Sequence, residues 1–144
     1  MGVLGKPSLP NTPIYSPIAR HFPMNLFLGT FLEINMDMKN IPFGTTVWSQ
    51  IIPTEHTGES GMAYWRTQQF DAMRVRMVEY SPGYMADHWC SKGHILLCLE
   101  GELHTELADG REFILTPGIS YQVADNAEPH RSYTPSGVKL FIVD

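Results

Sequence analysis

The stretch Gly83–Gly101, GYMADHWCSKGHILLCLEG, holds His88, Cys90 and His94 within seven residues, and Cys98 follows four positions later. Alternate side chains of a strand share a face. With Ala86–Cys90 as a strand, His88 and Cys90 point to one side. Ser91, Lys92 and Gly93 can then turn the chain, and a returning strand His94–Leu99 sets His94 opposite that pair. Imidazole and thiolate are donors for Zn, Fe, Ni or Cu, so the expected chemistry is that of a transition metal. Such a site takes a further ligand from elsewhere in the chain, and His130 in NAEPHRSYT is the candidate.

The elements that must position these residues read as strands and turns from Ile41 onward. Thr46–Ile52 is β-branched and aromatic, and Pro53–Gly61 reads as a polar loop. Met62–Phe70 and Met73–Tyr80 read as two strands split by Asp71 and Ala72. Ser81-Pro82-Gly83 is a turn, because Pro presets one dihedral and Gly accepts positive φ. Gly101 interrupts the next run and Glu102–Leu107 continues it, with a hairpin signal at Ala108-Asp109-Gly110. Glu112–Leu115, Ile119–Ala124, Arg131–Thr134 and Val138–Val143 complete the set. Short strands, frequent turns and no amphipathic helix predict an all-β sandwich or barrel.

The 144 residues suffice for one core. Residues 41–144 are expected to form it. Residues 1–40 differ: Pro7, Pro10, Pro13, Pro17 and Pro23 break any period, so this part reads as an irregular N-terminal arm. Leu26–Leu32 is apolar enough to pack as an added strand or a dimer clasp, and Met36 and Met38 are plausible internal starts. Ten basic against fifteen acidic residues give a formal charge of −5, with no basic run, which disfavours nucleic acid as a partner. Two cysteines make no disulfide framework, and free thiols suit a reducing cytoplasm. Phe22–Ile34 contains Asn25 and Glu33 and is too short to span a bilayer, so no membrane role is expected.

The motif spacing resembles that of the small cupins. Their first motif runs Gly, five residues, His-x-His, three or four residues, Glu, six residues, Gly. Here Gly83 is followed by four residues, then His88, Trp89 and Cys90, three residues, His94, six residues and Gly101. The second motif opens at a Gly before a strand and closes on a His; Gly118, Ile119–Val123 and His130 fit it with one extra residue. More narrowly, Asp87-His88-Trp89-Cys90, GHILLCLEGEL and SYQVADNAEPHRS resemble the cupins named for an Asp-His-Cys-Trp (DHCW) motif, a group without an assigned reaction. The resemblance implies a double-stranded β-helix, a jelly-roll-like barrel, over residues 41–144. It implies the ligand set His88, Cys90, His94 and His130, with Cys90 in place of the second cupin His and His94 in place of the Glu. Three imidazoles and a thiolate form a softer set than three His and a Glu. That shifts the expected single divalent ion toward Zn, with Fe, Ni or Cu open. A homodimer is implied as well.

Other residues carry weaker expectations. Cys98 shares the parity of His94 and should fill the core. His104 alternates with Glu102 and Glu106 on a solvated face; His21 lies in the arm and His56 in a polar loop. Asp87 is either a carboxylate that orients a ligand imidazole or a surface group. Asp125 and Glu128 read as solvated or turn-forming, and Trp89 should point away from the metal. An inward Arg66, Arg74 or Arg76 would hold a small acid by its carboxylate, but parity alone does not separate inward from outward. Tyr64, Tyr80 and Glu79 are the nearest candidates for acid–base work. The leading reading is a metal-dependent enzyme acting on a small polar molecule. The rival is a non-enzymatic, metal-stabilised barrel that binds a ligand or senses redox state through Cys90.

Overall fold

The computed structural model describes residues 40–144. The expected arm, with Leu26–Leu32, His21 and the starts at Met36 and Met38, lies outside the described residues. Nine strands follow a short 3-10 turn at Trp48–Gln50. They are β1 (Thr54–Thr57), β2 (Met62–Phe70), β3 (Met73–Tyr80), β4 (His94–Gly101), β5 (Leu103–Leu107), β6 (Glu112–Leu115), β7 (Ser120–Val123), β8 (His130–Tyr133) and β9 (Val138–Val143). All pairings are antiparallel, in a six-stranded sheet of order β1-β2-β3-β9-β4-β7 and a three-stranded sheet of order β6-β5-β8.

Period-two patterning closes the two sheets onto one core. Along β9, Val138, Leu140 and Ile142 are buried while the residues between them are only half-buried. Leu96 and Cys98 of β4 and Val78 of β3 join them from the large sheet; Leu103 of β5 and Leu115 of β6 join from the small one. Burying each such side chain contributes roughly 1.5–3 kcal/mol. Cys98, fully buried, is the core filler its parity predicted. Both cysteines are free thiols. Gly101 ends β4 with φ +79°, and a Cβ built there would lie 2.1 Å from the Gly137 carbonyl oxygen. The glycine that closes the first motif is therefore required by a close backbone approach as well as by its dihedral.

Three local expectations are corrected. Thr46–Ile52 makes no strand: Val47 and Ile52 stay exposed, and β-branching without a neighbouring strand to pack on does not form a ladder. The polar Pro53–Gly61 segment instead contains β1, an edge strand paired only with β2. Ala86–Cys90 is irregular: the Ala86 N–H donates to the Ser132 carbonyl and Cys90 makes an isolated bridge to His130, without a ladder between them.

Candidate metal centre

Cys90 and His130 are fixed against each other by backbone. The Cys90 N–H donates to the His130 carbonyl at 2.7 Å, and the His130 N–H returns to the Cys90 carbonyl at 3.0 Å. Residues that exchange both bonds stand directly opposite, with their side chains on one face. His94 opens β4 and faces the same side; its ring centroid lies 4.9 Å from that of His130, at 69°. One donor atom from each of Cys90, His94 and His130 falls within 4.8 Å of the other two.

His130 is 3 % exposed. Its Nδ1–H donates to the Glu128 carbonyl at 2.9 Å, which leaves Nε2 with the lone pair. That Nε2 is buried and has no partner. An oriented imidazole whose second nitrogen is tied to a carbonyl is the arrangement of a metal-ligating histidine. The His94 Nε2 and the Tyr121 hydroxyl share a hydrogen bond at 2.8 Å. Burial pushes the His94 pKa down to about 4, aided by the neighbouring His130 and by Arg76. Burial also raises the Tyr121 pKa, so the phenol keeps its proton beside a neutral His94. The two imidazoles and the thiol suit a borderline-soft divalent ion, and their geometry fits one.

His88 stands elsewhere. Its side chain is 72 % exposed, and Nδ1 is bonded to the Asp87 carboxylate at 2.6 Å. Because Ala86–Cys90 is not extended, strand parity does not carry His88 to the side of Cys90, and His88 lies outside the cluster. It does line the same cavity, of about 250 Å³, which the three clustered residues share with Trp65, Tyr80, Tyr84, Arg74, Arg76 and Asp144. Asp87 holds His88, which in turn keeps the carboxyl below its usual range.

The arginines divide. Arg66 pairs with Glu79 at 3.1 Å, away from the cavity wall. Arg74 and Arg76 face inward and meet Asp144. Val78 and Tyr80 continue their face into the core, and those apolar neighbours at the same parity are the signal that settles the direction. Tyr80 lines the cavity stacked on Tyr84 with centroids 4.1 Å apart; burial raises its pKa, so it stays protonated. Tyr64 and Glu79 are not in the wall. Trp89 is partly exposed beneath the Arg131 guanidinium, turned outward as expected. The Asp125 Oδ1 accepts the Gly93 N–H at 2.7 Å, a turn-forming role, and Glu128 pairs with Arg111. His104 is half-buried against Glu102, and His56 stacks on Trp65. The sequence reading missed Tyr121 and Asp144. Tyr121 could have been found by register, since it pairs with the inward Leu96.

No protein-family model matches the chain, and no curated protein matches it significantly. Solved structures do match. A predicted oxalate decarboxylase from Thermotoga maritima superposes with a TM-score of 0.60 at 15 % identity, over 69 % of this chain and 96 % of that one. Ectoine synthase from P. lautus gives 0.58 at 18 %, over 70 % and 76 %. An RmlC-like cupin from Shewanella frigidimarina gives 0.56 at 21 %, over 73 % and 88 %. The fold is a cupin barrel. At these identities the likeness is one of fold, and the chemistry must be argued from the residues. Within the cupin frame, Cys90, His94 and His130 come together and His88 turns outward. No helix among the described residues is long and apolar enough to cross a membrane.

Proposed function

We propose that this cupin binds one divalent transition-metal ion through Cys90, His94 and His130, and that it is a metal-dependent enzyme acting on a small polar molecule. The observation that carries this reading is the His130 Nε2, buried without a partner beside two further donors in the wall of a cavity. The thiolate in the set favours Zn, with Fe, Ni or Cu as alternatives. A bound ion supplies Lewis acidity toward a carbonyl or carboxylate oxygen, or toward water. The chain's own residues do the rest. The Glu128 carbonyl fixes the His130 ring, Tyr121 orients the His94 ring through its Nε2, and the three clustered residues line the cavity. His88 is proposed as a fourth ligand only if its ring turns from Asp87 into the cavity it already lines.

A second reading, a non-enzymatic ligand-binding or redox-sensing barrel, draws support from Cys90, a half-buried thiol in that same wall. Free thiols support a cytoplasmic setting, and the open edges at β1 and β7 support a homodimer. The resemblance to the DHCW group belongs to this proposal too. The test is elemental analysis of the purified protein and of His88→Ala, Cys90→Ser, His94→Ala and His130→Ala. About one ion per chain is expected, lost in the last three variants. Retention in His88→Ala makes the site three-coordinate in protein ligands, and its loss there adds the fourth. No bound metal after reconstitution with Zn or Fe(II) removes the reading.

A further inference from the structure

The wall of the cavity supplied by β2 and β3 carries two guanidinium groups that meet a single side-chain carboxylate. Arg76 is buried, 7 % exposed, with its guanidinium carbon 4.5 Å over the Trp65 ring. Its Nη2 donates to the Asp144 carboxylate at 2.8 Å. That carboxylate is already engaged: the Arg74 Nε and Nη2 donate to its two oxygens at 2.8 and 2.6 Å. One buried carboxylate thus answers two guanidinium groups. Among the described residues Asp144 supplies the only side-chain carboxylate in the cavity wall; Lys92 lines it too, as does Arg131, which is paired with Glu106 and Glu59. Two buried donors here, the Arg76 Nε and the Trp65 Nε1, have no partner. A charge taken out of water needs pairing, and so does a buried donor. A divalent ion on the Cys90–His94–His130 group would add positive charge to the same cavity.

We propose that this wall binds the carboxylate of a small organic acid, held by Arg76 above Trp65, with the remainder of the molecule directed at the Cys90–His94–His130 group. The substrate class is therefore a small carboxylate rather than a neutral polar molecule. Arg76 is the anchor because a guanidinium presents a planar fork of donors that matches a carboxylate. Arg74 and Asp144 are positioning residues that keep the Arg76 side chain in place. The inference deepens the metal-site reading and rests on it for the reacting end, while the anion-binding half stands on metal-free protein as well.

The probe is propionate, set against its neutral isostere propionamide, with ionic strength balanced by sodium chloride. Each is titrated into the full chain, metal-stripped and zinc-loaded, and the thermal midpoint and heat of binding are followed. Propionate should stabilise the protein saturably and propionamide should not. Arg76→Gln and Trp65→Phe should each weaken propionate binding, the first by at least about tenfold, the loss of one charge-assisted hydrogen bond. Arg66→Gln, on the outer face, should leave it unchanged. Equal responses to the two probes, or propionate affinity unaltered in Arg76→Gln, would overturn the proposal. If Arg76→Gln does not fold, the wild-type comparison and Trp65→Phe decide. Propionate discrimination in protein that takes up no zinc on loading sinks the metal reading and keeps this one; metal binding without discrimination does the reverse.

Discussion

His130 and His94 are both imidazoles in one cluster, yet their surroundings prepare them differently. His130 has its Nδ1 proton committed to a carbonyl and its Nε2 left bare in a dry place. His94 has its Nε2 covered by the Tyr121 hydroxyl, a contact an incoming ion would have to displace or work around. Its pKa, pushed down to about 4 by burial and then by His130 and Arg76, has a consequence for stability. An unfolded histidine titrates near 6.5. Between those values the unfolded chain binds a proton that the folded chain refuses. Stability of the metal-free protein is therefore complete above about pH 6.5 and falls as pH drops toward 4. The loss is at most about 3 kcal/mol, at 1.36 kcal/mol per pH unit of difference. Burial alone would raise the Asp144 pKa, but the Arg74 hydrogen bonds and the charges of Arg76 and Arg74 bring it below its usual value. Its contribution is accordingly lost only at still lower pH. Urea midpoints of metal-stripped wild type and His94→Gln across this range should show a flatter profile in the variant. Identical slopes would mean that the acid sensitivity comes from another group. Tyr121→Phe removes the hydrogen bond to His94 and should destabilise the metal-free protein by about 1 kcal/mol, read from the same midpoints.

At the scale of elements, what the sequence makes legible depends on whether a segment carries its own packing partner. The bounds of β2 and β3 follow directly from composition, because two long strands separated by Asp71 and Ala72 can pair with each other, and they do. Gly110, with φ +91°, closes the β5–β6 connection where Ala108-Asp109-Gly110 signalled a hairpin. The segment that carries Cys90 lacks such a partner. It meets β8 at Ala86 and at Cys90 without a continuous ladder, so alternation was the wrong geometry for it, and His88 stands outside the cluster. His94 opens β4 where the sequence placed a strand start, whereas His130 opens β8 one residue before the strand expected at Arg131–Thr134. Arg76 was not legible, since its direction depends on what closes over its face. Glycines divide in a similar way. Gly118 has φ +91° with open space where a Cβ would stand, whereas Gly101 has φ +79° with the Gly137 carbonyl 2.1 Å from that position. Gly118→Ala should cost about 1 kcal/mol, the dihedral alone. Gly101→Ala must also push two backbones apart and should cost about 3 kcal/mol or more. Denaturant midpoints at unchanged m-value would show the difference, and equal costs would mean that β9 yields freely at that point.

For the whole molecule, the cluster joins parts that the sheet hydrogen bonds leave separate. His94 opens a strand of the six-stranded sheet, His130 opens one of the three-stranded sheet, and Cys90 sits on the irregular segment between them. The apolar core around Leu96, Leu103 and Leu140 packs the two sheets together, and Met85 bridges Ser60 and Tyr133 between them. An ion on the three side chains would bind the folded arrangement and have no comparable site in the unfolded chain. Its stabilisation then follows mass action, about 4 kcal/mol at a thousandfold excess over the dissociation constant. The distribution of that gain distinguishes a staple between sheets from a merely local site. Zinc loading should raise the thermal midpoint. It should also slow amide exchange at the Cys90 and His130 N–H groups, which bond each other's carbonyls, together with that of the first residues of β4. His130→Ala should abolish both effects, while Leu140→Ala should lower stability by about 2–5 kcal/mol and leave the metal-dependent increment intact. Protection confined to one sheet, or a midpoint indifferent to bound metal, would show that the barrel closes without the ion. The cluster would then serve its ligand alone.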